Sequence, residues 1–178
     1  MIIWLTGLSG AGKSTLAEGV AQFLRSRGNT PMIIDGDRLR DELCRDLGFS
    51  DMDRKENIRR AGAIAKMAAR SGIVSICSLI SPLRQERDEV RMGCEDQGIV
   101  FLEVHVAAPL TVCESRDPKG LYRKARAGLI ASFTGIDSPY EPPLKPEVFI
   151  ESGTLSITEA VNRLTAEVDR VLSHSSSQ

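Results

Sequence analysis

A glycine-rich loop at residues 7–14 follows the apolar run Ile2–Leu5 and precedes a helical pattern that begins near Lys13. The loop fills every position of the phosphate-loop pattern G-x-x-x-x-G-K-[ST] in its required strand–loop–helix setting. Glycines let the backbone turn so that successive N–H groups converge on one anion, and the helix dipole adds to that point. The loop therefore predicts a protein that binds a nucleoside triphosphate.

The polar residues of this loop suit a triphosphate together with its metal ion. Lys13 is expected to reach the β and γ phosphates as a point charge, and the Ser14 hydroxyl to ligate Mg²⁺. Lys13 is therefore a predicted catalytic residue and Mg²⁺ a predicted cofactor. The predicted contacts to the triphosphate are Gly7, Leu8, Ser9, Gly10, Ala11, Gly12, Lys13 and Ser14.

Composition excludes several other classes of protein. The 178 residues carry a net charge of -1, so no basic field draws the chain to nucleic acid or to an anionic membrane. No apolar stretch approaches the ~20 residues of a membrane span. Four widely spaced cysteines and two histidines argue against a zinc site and predict reduced, buried thiols in a cytoplasmic protein.

Strand and helix patterns alternate along the chain. This alternation predicts an α/β fold, a three-layer P-loop NTPase sandwich whose five-stranded parallel sheet carries helices on both faces. A capping box, Ser156-x-x-Glu159, marks the start of the last helix. The predicted strands are Ile2–Thr6, Met32–Ile34, Ile73–Leu79, Ile99–Val106 and Val148–Ile150. The other predicted helices are Lys13–Arg27, Arg38–Leu47, Arg54–Ser71, Pro82–Gln97, Leu110–Arg116 and Leu121–Ala127.

One domain is expected over residues 1–172, because domains commonly span ~100–200 residues and no linker separates two cores. The segment 116–146 is rich in Arg, Lys, Gly and Pro and too long for a plain connection, which predicts a lid. A solvated basic helix is the alternative for part of it, and the turn sequence 117–120 also fits a hinge. The tail 173–178 is expected to be disordered.

Two aspartates after the second strand distinguish between the classes of P-loop protein. The chain has no guanine-reading N-K-x-D, and its third and fourth strands do not end in the acidic residue that a motor ATPase needs. Asp35 and Asp37 instead fall where the carboxyl ends of neighbouring strands open onto one crevice. There they can hold Mg²⁺ through water and accept a proton from an attacking hydroxyl. A structural turn with Asp37 as a helix N-cap is the alternative.

Arginines that follow the aspartates indicate an anionic acceptor. Arg40, Arg54, Arg59 and Arg60 lie close together in sequence. Their three- and four-residue spacing puts Arg54 on one helix face with Asn57 and with Arg60 or Ala61. Several guanidinium groups around one acidic turn favour a phosphate or sulfate over a plain sugar. A solvated charged face is the ordinary interpretation of any single one of them.

Seven motifs run through the chain: G-L-S-G-A-G-K-S-T, D-G-D-R-L-R, L-G-F-S, E-N-I-R-R, S-L-I-S-P, R-D-P-K-G-L-Y-R-K-A-R-A-G and F-T-G-I-D-S-P-Y-E. Together they resemble the adenylylsulfate kinase (APS kinase) family of P-loop kinases from Ile2 to about Ile150. The phosphate loop is common to many families, whereas the segment Arg116–Glu141 is far more specific. The resemblance implies transfer from ATP to the 3'-hydroxyl of adenylyl sulfate, giving ADP and 3'-phosphoadenylyl sulfate, with Mg²⁺, in sulfate assimilation.

The resemblance also implies roles at the matching positions. Asp37 is expected as the base, with Asp35 supporting Mg²⁺ through water. Phe49 and Phe133 would sandwich the acceptor adenine, at ~1–3 kcal/mol per stacked base; without the resemblance, Phe49 is interpreted as an ordinary buried residue. The acceptor contacts so implied are Asp37, Arg40, Phe49, Arg54, Asn57, Ser81, Lys119, Leu121 and Phe133; Thr15 and Arg116 join the ATP contacts, and Asp117 and Arg126 the lid.

Ser81 has two interpretations. Family descriptions assign the serine of I-S-P as a phosphoserine intermediate, which places Ser81 among the catalytic residues. The residues themselves favour a helix N-cap, because Pro82 suits the first helical position and no general base adjoins the serine. In-line transfer needs no covalent enzyme step, and Ser81 is expected to line the acceptor pocket either way.

The chain departs from the family pattern at Arg38, often Asn, and at Leu83, often Tyr. Arg38 is expected to add a charge beside the acceptor site, which leaves a different acceptor open. A segment that precedes the first strand in many members, and contributes to dimer contacts, is missing here, and a homodimer is the default expectation. The resemblance further implies a functional link to an ATP sulfurylase and no nucleic-acid or membrane partner.

Three alternative functions remain open at this point. A gluconate- or shikimate-type kinase shares the loop and a D-x-D turn, but it does not need paired phenylalanines or so long a lid. A relative of the family acting on another nucleotide anhydride is suggested by Arg38 alone. The third is a nucleotide-sensing subunit without transfer, against which the intact Lys13, Ser14 and aspartate pair argue.

Overall fold

Five parallel strands form the centre of the fold, in the order β2-β3-β1-β4-β5. The computed structural model describes residues 1–175. The strands are β1 (Ile2–Thr6), β2 (Pro31–Asp35), β3 (Val74–Ser78), β4 (Phe101–Ala107) and β5 (Val148–Glu151). The predicted sheet is therefore confirmed in number, direction and location, with boundaries that differ by at most two residues.

Helices cover both faces of this sheet. They are α1 (Lys13–Ser26), α2 (Gly36–Glu42), α3 (Asp51–Arg70), α4 (Arg84–Glu95), α5 (Leu110–Arg116), α6 (Leu121–Arg126) and α7 (Ile157–Ser175). One apolar core lies under α1 and α7, and a second lies under α2, α3 and α4. The three-layer arrangement predicted for the chain is the one observed.

The central strand β1 is buried on both faces of the sheet, which explains why its sequence is continuously apolar. Ile3 and Leu5 face the core under α1 and α7, whereas Ile2 and Trp4 face the core under α3 and α4. All four side chains are fully buried. Each contributes roughly 1.5–3 kcal/mol relative to an exposed position, so a polar residue would be costly on either face.

Strand register brings the functional segments to one edge of the sheet. Asp35 at the end of β2 is level with Ser78 at the end of β3, and Thr6 at the end of β1 is level with His105. The phosphate loop leaves β1 at this edge, and α2 with its aspartates leaves β2 there. The crevice expected from the parallel topology is therefore present.

Several helix boundaries differ from prediction. α2 ends at Glu42 instead of Leu47, and α3 begins at Asp51 because Ser50 and Asp53 form a capping box. α4 begins at Arg84, with Leu83 at its N-cap. The prediction that Ser81 caps this helix is therefore wrong.

The last helix begins where the sequence predicts, and the four cysteines are buried. The Ser156–Glu159 capping box is present at the start of α7. α7 extends through Ser175, so residues 173–175 of the tail expected to be disordered are helical instead. Residues 176–178 lie outside the described residues, and for them the expectation stays a prediction. All four cysteines are buried and free, as predicted. Within residues 1–175, no helix is both long and apolar enough to cross a bilayer.

Candidate active site

A cavity of about 1240 Å³ opens at the carboxyl edge of the sheet. Single small-molecule pockets commonly measure about 300–1,000 Å³, so this one has room for two ligands side by side. It is lined by the phosphate loop, by α2 and the start of α3, by residues 78–82, by the predicted lid and by the segment that follows β5.

The phosphate loop adopts the backbone that its glycines predict. Gly7, Gly10 and Gly12 all have positive φ, and Gly12 lies in the left-handed region directly before α1. At Gly7 a Cβ atom would come within 2.4 Å of the Val106 carbonyl oxygen, a distance that real Cβ atoms do not reach. Glycine at position 7 is therefore required by the close approach of β4 as well as by its dihedral angle.

Lys13 is folded back over the loop that precedes it. Its ammonium Nζ donates hydrogen bonds to the carbonyl oxygens of Gly7 (2.9 Å) and Leu8 (2.8 Å). The side chain is buried, and this burial lowers the pKa of Lys13 to about 8, although Cys113 and Asp35 oppose the shift. The loop thus holds a cation at a point where α1 also directs its positive dipole end.

Ser14, Asp35 and Ser78 bring oxygen atoms together beside the loop. Ser14 Oγ donates to Asp35 Oδ2 at 2.9 Å and lies 3.2 Å from Ser78 Oγ. Asp35 also accepts a hydrogen bond from the Asp37 backbone N–H at 3.0 Å, so Asp35 is the N-cap of α2 and the alternative of Asp37 as the cap is wrong. Hydroxyl and carboxylate oxygens are the donors that Mg²⁺ prefers, so this set fits the expected ion.

Asp37 joins the predicted lid to the carboxyl edge of the sheet through an ion pair. Its carboxylate is ion-paired with Lys119 Nζ, and both side chains are more than half exposed. Since Asp35 occupies the capping position, Asp37 is not the cap of α2, and it lines the cavity together with the loop and Lys119. The structure therefore brings the two aspartates, Lys13 and Lys119 into one cavity, as predicted.

The start of the predicted lid is fixed to the phosphate loop by hydrogen bonds. Arg116 donates to the carbonyl oxygens of Gly10 (3.3 Å) and Ser152 (2.6 Å). Asp117 accepts from the backbone N–H groups of Tyr122 and Arg123, which caps the short helix α6. The interpretation of 117–120 as a turn is confirmed, and the turn lies over the phosphate loop.

Guanidinium groups form the opposite wall of the cavity. Arg54 donates to the Phe49 carbonyl (3.0 Å), to Thr134 Oγ1 (2.7 Å) and to the Ser132 carbonyl, which joins α3 to the distal part of the lid. Arg40 lies 4.5 Å from the Phe49 ring centroid and donates to the Gly48 carbonyl. Burial, and then the like charge of Arg54, lower the pKa of Arg40. Two cations held this close favour an anion in the cavity.

Asn57 adds an independent sign of a polar ligand. It lines the cavity from α3, one turn after Arg54, and is buried. Its Nδ2 has no hydrogen-bond partner among the described residues. A buried donor without a partner costs about 1–3 kcal/mol, and a ligand oxygen in the cavity would satisfy it.

The two predicted stacking residues both line the cavity but differ in exposure. Phe49 is 65% exposed, so its interpretation as an ordinary buried residue is wrong. Phe133 is buried and packs edge-on against Tyr122 at 5.0 Å between ring centroids. A largely exposed aromatic ring and a second ring held edge-on by its neighbour, both lining one cavity, are suited to stacking on a planar ligand.

Ser81 lines the cavity in a strained conformation. Its φ is +39°, a region that non-glycine residues enter at a cost of about 1–3 kcal/mol. The Ser81 hydroxyl oxygen accepts a hydrogen bond from Trp4 Nε1 at 3.1 Å, and the residue is buried. The tertiary contacts of this turn outweigh the local Ser-Pro signal for a helix start.

Four arginines that were considered for the site lie outside the cavity lining. Arg59 pairs with Glu56, and Arg60 with both Glu56 and Asp46. Arg38 is largely exposed beside Glu42 at 3.8 Å, so the extra charge expected near the acceptor is not there. The fourth, Arg126 of the lid, is bound to Glu114.

The segment that follows β5 also lines the cavity, and sequence reasoning missed it. It contributes one wall next to Arg116, and Ile157 at the start of α7 is 66% exposed. An apolar residue beside a capping box is an ordinary sequence pattern, and only the fold brings it to the phosphate loop. The additional lining residues there are Ser152, Leu155, Ser156, Ile157 and Ala160.

The parallel sheet, the phosphate loop, the aspartate pair and the two-ligand cavity define a P-loop kinase. A profile of the family described as adenylylsulphate kinase matches residues 1–151. An adenylyl-sulfate kinase from Synechococcus sp. (strain JA-2-3B'a(2-13)) is 55% identical over 160 residues, which cover 90% of this chain and 89% of that protein. A probable adenylyl-sulfate kinase from Halalkalibacterium halodurans is 51% identical over 165 residues, covering 93% and 81%.

A solved structure gives the same result. The APS kinase of Mycobacterium tuberculosis, determined in complex with AMPPNP and APS, superimposes with a TM-score of 0.91 at 45% sequence identity. The superposition covers 94% of this chain and 96% of that one. The chain belongs to the adenylylsulphate kinase family, and the resemblance drawn from its motifs is confirmed.

Proposed function

We propose that the chain transfers the γ-phosphoryl group of ATP to the 3'-hydroxyl of adenylyl sulfate, giving 3'-phosphoadenylyl sulfate and ADP. The observation that carries this proposal is one cavity that holds a phosphate loop on one side and Arg40, Arg54 and the unpartnered Asn57 amide on the other. The M. tuberculosis enzyme of the same fold was determined with an ATP analogue and APS together, which supports two nucleotides in one cavity.

The donor side of the cavity comprises residues 7–15, Arg116 and residues 152–160. The loop N–H groups and Lys13 would hold the ATP phosphates, and Arg116 with the apolar residues after β5 would flank the base. Lys13 must leave the Gly7 and Leu8 carbonyls, or share its three donors with them, when phosphate arrives. Its charge then neutralises oxygens on the group in transfer.

Mg²⁺ would be held by the Ser14 hydroxyl, with Asp35 orienting its water ligands. When bound, the ion supplies charge neutralisation at the β and γ phosphates. The Ser14–Asp35 hydrogen bond of 2.9 Å keeps both oxygens at the mouth of the loop. Asp35 is in turn held as the cap of α2, which limits its movement.

The acceptor side comprises Arg40, Phe49, Arg54, Asn57, Ser81, Leu121 and Phe133. Arg40 and Arg54 would bind the phosphosulfate, with the Asn57 amide as a further donor. Phe49 and Phe133 would stack on the adenine of adenylyl sulfate. A sugar-acid acceptor has no planar base to use these rings, which favours the nucleotide.

Asp37 is the residue we assign as the base that accepts the 3'-hydroxyl proton. It is the second residue of α2, two positions after Asp35 and one turn before Arg40, so it would lie where the two sides of the cavity meet. Lys119 of the lid pairs with it and would move toward phosphate oxygens when both nucleotides are bound. Closure of the lid then excludes water, which otherwise competes for the phosphoryl group.

A panel of acceptors in a coupled ADP-release assay tests the proposed function. Adenylyl sulfate should support turnover, whereas gluconate, shikimate and AMP should not. Arg54→Lys should raise the acceptor KM by about tenfold or more, because a lysine cannot reproduce the forked contacts. Arg38→Lys, outside the cavity, is the matched control. Turnover with another acceptor alone, or ATP binding without single-turnover transfer, would defeat the proposal.

Further properties belong to the same proposal. Two-fold dimers are by far the commonest symmetric assemblies of soluble proteins, so a homodimer is the expected state, which sedimentation would test. An enzyme making adenylyl sulfate from ATP and sulfate, an ATP sulfurylase, would supply the substrate. Four buried free thiols suit the reducing cytoplasm.

A further inference from the structure

A buried arginine, Arg87, joins the acceptor side of the cavity to the end of the lid. It lies in the first turn of α4, is 1% exposed, and does not line the cavity. Its guanidinium donates in three directions: to Glu103 Oε1 (2.7 Å), to the Ser81 carbonyl (2.6 Å) and to the Glu141 carbonyl (2.8 Å). All three acceptors belong to different parts of the chain.

The Ser81 contact holds a backbone conformation that is costly by itself. Residues 80–82 run past the cavity with Ser81 at positive φ, and three groups keep them there. Trp4 Nε1 binds the Ser81 hydroxyl oxygen, Thr6 Oγ1 donates to the Ile80 carbonyl at 2.7 Å, and Arg87 binds the Ser81 carbonyl. Strain of this kind persists only where the surroundings impose it.

The Glu141 contact fixes the distal end of the lid to the same turn. The Glu141 backbone N–H donates to the Pro82 carbonyl at 2.8 Å, and its carboxylate accepts from the Arg84 N–H at 3.0 Å. Arg87 completes this set at the Glu141 carbonyl. One guanidinium group, that of Arg87, therefore binds both the Ser81 turn in the cavity wall and Glu141 near the end of the lid.

Glu103 anchors this guanidinium to the sheet. It is a buried carboxylate in the middle of β4, and its second oxygen accepts from Arg91 at 3.3 Å. Arg91 pairs in turn with Glu147 through two hydrogen bonds, but touches neither Ser81 nor Glu141 among the described contacts. Arg91 is thus a neighbour of the same charge in the same network without the link to the pocket.

We propose that Arg87, oriented by Glu103, is a positioning residue that fixes the position of the lid relative to the acceptor pocket. Its planar fork can serve three oxygens at fixed angles, which an ammonium cannot. Loss of the fork would release the Ser81 turn and the Glu141 anchor together. The described hydrogen bonds of Arg87 include none to the donor side, which comprises residues 7–15, Arg116 and residues 152–160. The effect should therefore fall on the acceptor.

Arg87→Lys, with Arg91→Lys as the matched control, tests this inference, which rests on the proposed function for its acceptor. Arg87→Lys should raise the KM for adenylyl sulfate by about tenfold or more and leave the KM for ATP within about twofold. Arg91→Lys should leave both within about threefold. Equal effects of the two variants on the acceptor KM, or equal effects of Arg87→Lys on both substrates, would overturn the inference.

A second measurement needs neither substrate nor turnover. The exchange rate of the Glu141 amide, followed by NMR on the ligand-free protein, should rise about tenfold or more in Arg87→Lys but not in Arg91→Lys. An unchanged rate would overturn the inference even if adenylyl sulfate is the acceptor. Absence of turnover in the wild-type chain would instead defeat the proposed function and leave this readout standing.

Glu103→Gln and Glu147→Gln form a second pair if Arg87→Lys does not fold. The glutamine at 103 keeps the side-chain volume and one acceptor oxygen but removes the charge that orients Arg87. Glu103→Gln should show the acceptor-specific KM change and the faster Glu141 exchange, and Glu147→Gln should not. The reverse pattern, or no difference within the pair, would overturn the inference.

Discussion

The donor and acceptor sides of the cavity are built in opposite ways. The proposed phosphate-binding part of the donor side is the consecutive run of residues 7–15, whose backbone N–H groups are fixed by positive-φ glycines and by α1. The acceptor side brings side chains from α2, α3, the turn at 80–82 and the lid together. Anion binding by backbone depends on local sequence, whereas recognition of a particular acceptor depends on how distant segments meet.

The largest expected effect separates chemistry from binding. Asp37→Asn should lower kcat by about 10²–10⁴, because the amide cannot accept the hydroxyl proton. The dissociation constant for a nonhydrolysable ATP analogue should stay within about twofold, since the loop is untouched. Glu42→Gln, an exposed carboxylate of the same helix, is the control. Full turnover by Asp37→Asn would remove the assignment of the base.

A smaller effect is expected from the stacking ring of the acceptor side. Phe133→Ala should raise the KM for adenylyl sulfate by about five- to a hundredfold, because one stacked face is lost. The KM for ATP should change little. Phe149→Ala, a half-exposed ring on β5 that does not line the cavity, is the control. Equal changes in both KM values would contradict the sandwich; Phe133→Leu serves if the alanine variant unfolds.

The pH dependence of the donor side follows from Lys13. Its pKa is lowered to about 8 by burial. An ATP analogue that requires the ammonium form should therefore bind about tenfold more weakly at pH 9 than at pH 7, as measured by calorimetry. Lys13→Arg stays charged throughout this range and should bind more weakly with a flat profile. A flat profile for the wild-type chain would contradict the assignment.

The same pKa carries a consequence for stability with a defined sign. Because the folded pKa of Lys13 lies below the unfolded value of 10.5, the unfolded chain binds more protons between pH 8 and that value. The contribution of Lys13 to the free energy of unfolding therefore rises with pH across this window in the ligand-free protein.

The smallest effect is expected at Arg38. It is exposed, pairs with Glu42 and lies outside the cavity lining. Arg38→Asn should therefore leave both KM values and the melting temperature nearly unchanged, with KM within about twofold. A large change in the acceptor KM alone would show that the acceptor side extends beyond the cavity described above.

The same contrast explains which parts of the molecule could be predicted from its sequence. The loop, the five strands and the Ser156 capping box depend on patterns within a few residues, and all are present as predicted. Ser81 fails the local rule because Trp4, 77 residues earlier in the chain, binds its hydroxyl group, and Thr6 binds the neighbouring Ile80 carbonyl from a similar separation. Residue pairs of this separation leave no pattern in a single sequence.

Arg60 is a second example of the same limit. Its spacing placed it near the helix face of Arg54 and Asn57, and the charge suggested a ligand. The structure shows its guanidinium bound by Asp46, 14 residues earlier, and by Glu56. The segment after β5 was missed because its apolar residues form no recognisable motif in the sequence. Only the fold places them beside the phosphate loop.

The position of β1 in the sheet has a consequence for how the molecule is made. Its residue Ile2 pairs with Ser75 on one side and with Phe101 on the other, so the middle strand must wait for partners encoded far downstream. Closing such long loops before any ladder forms is slow, and an unpaired apolar ribbon is prone to aggregate. A nascent chain therefore leaves the apolar strand β1 without its partners until β3 and β4 have emerged from the ribosome.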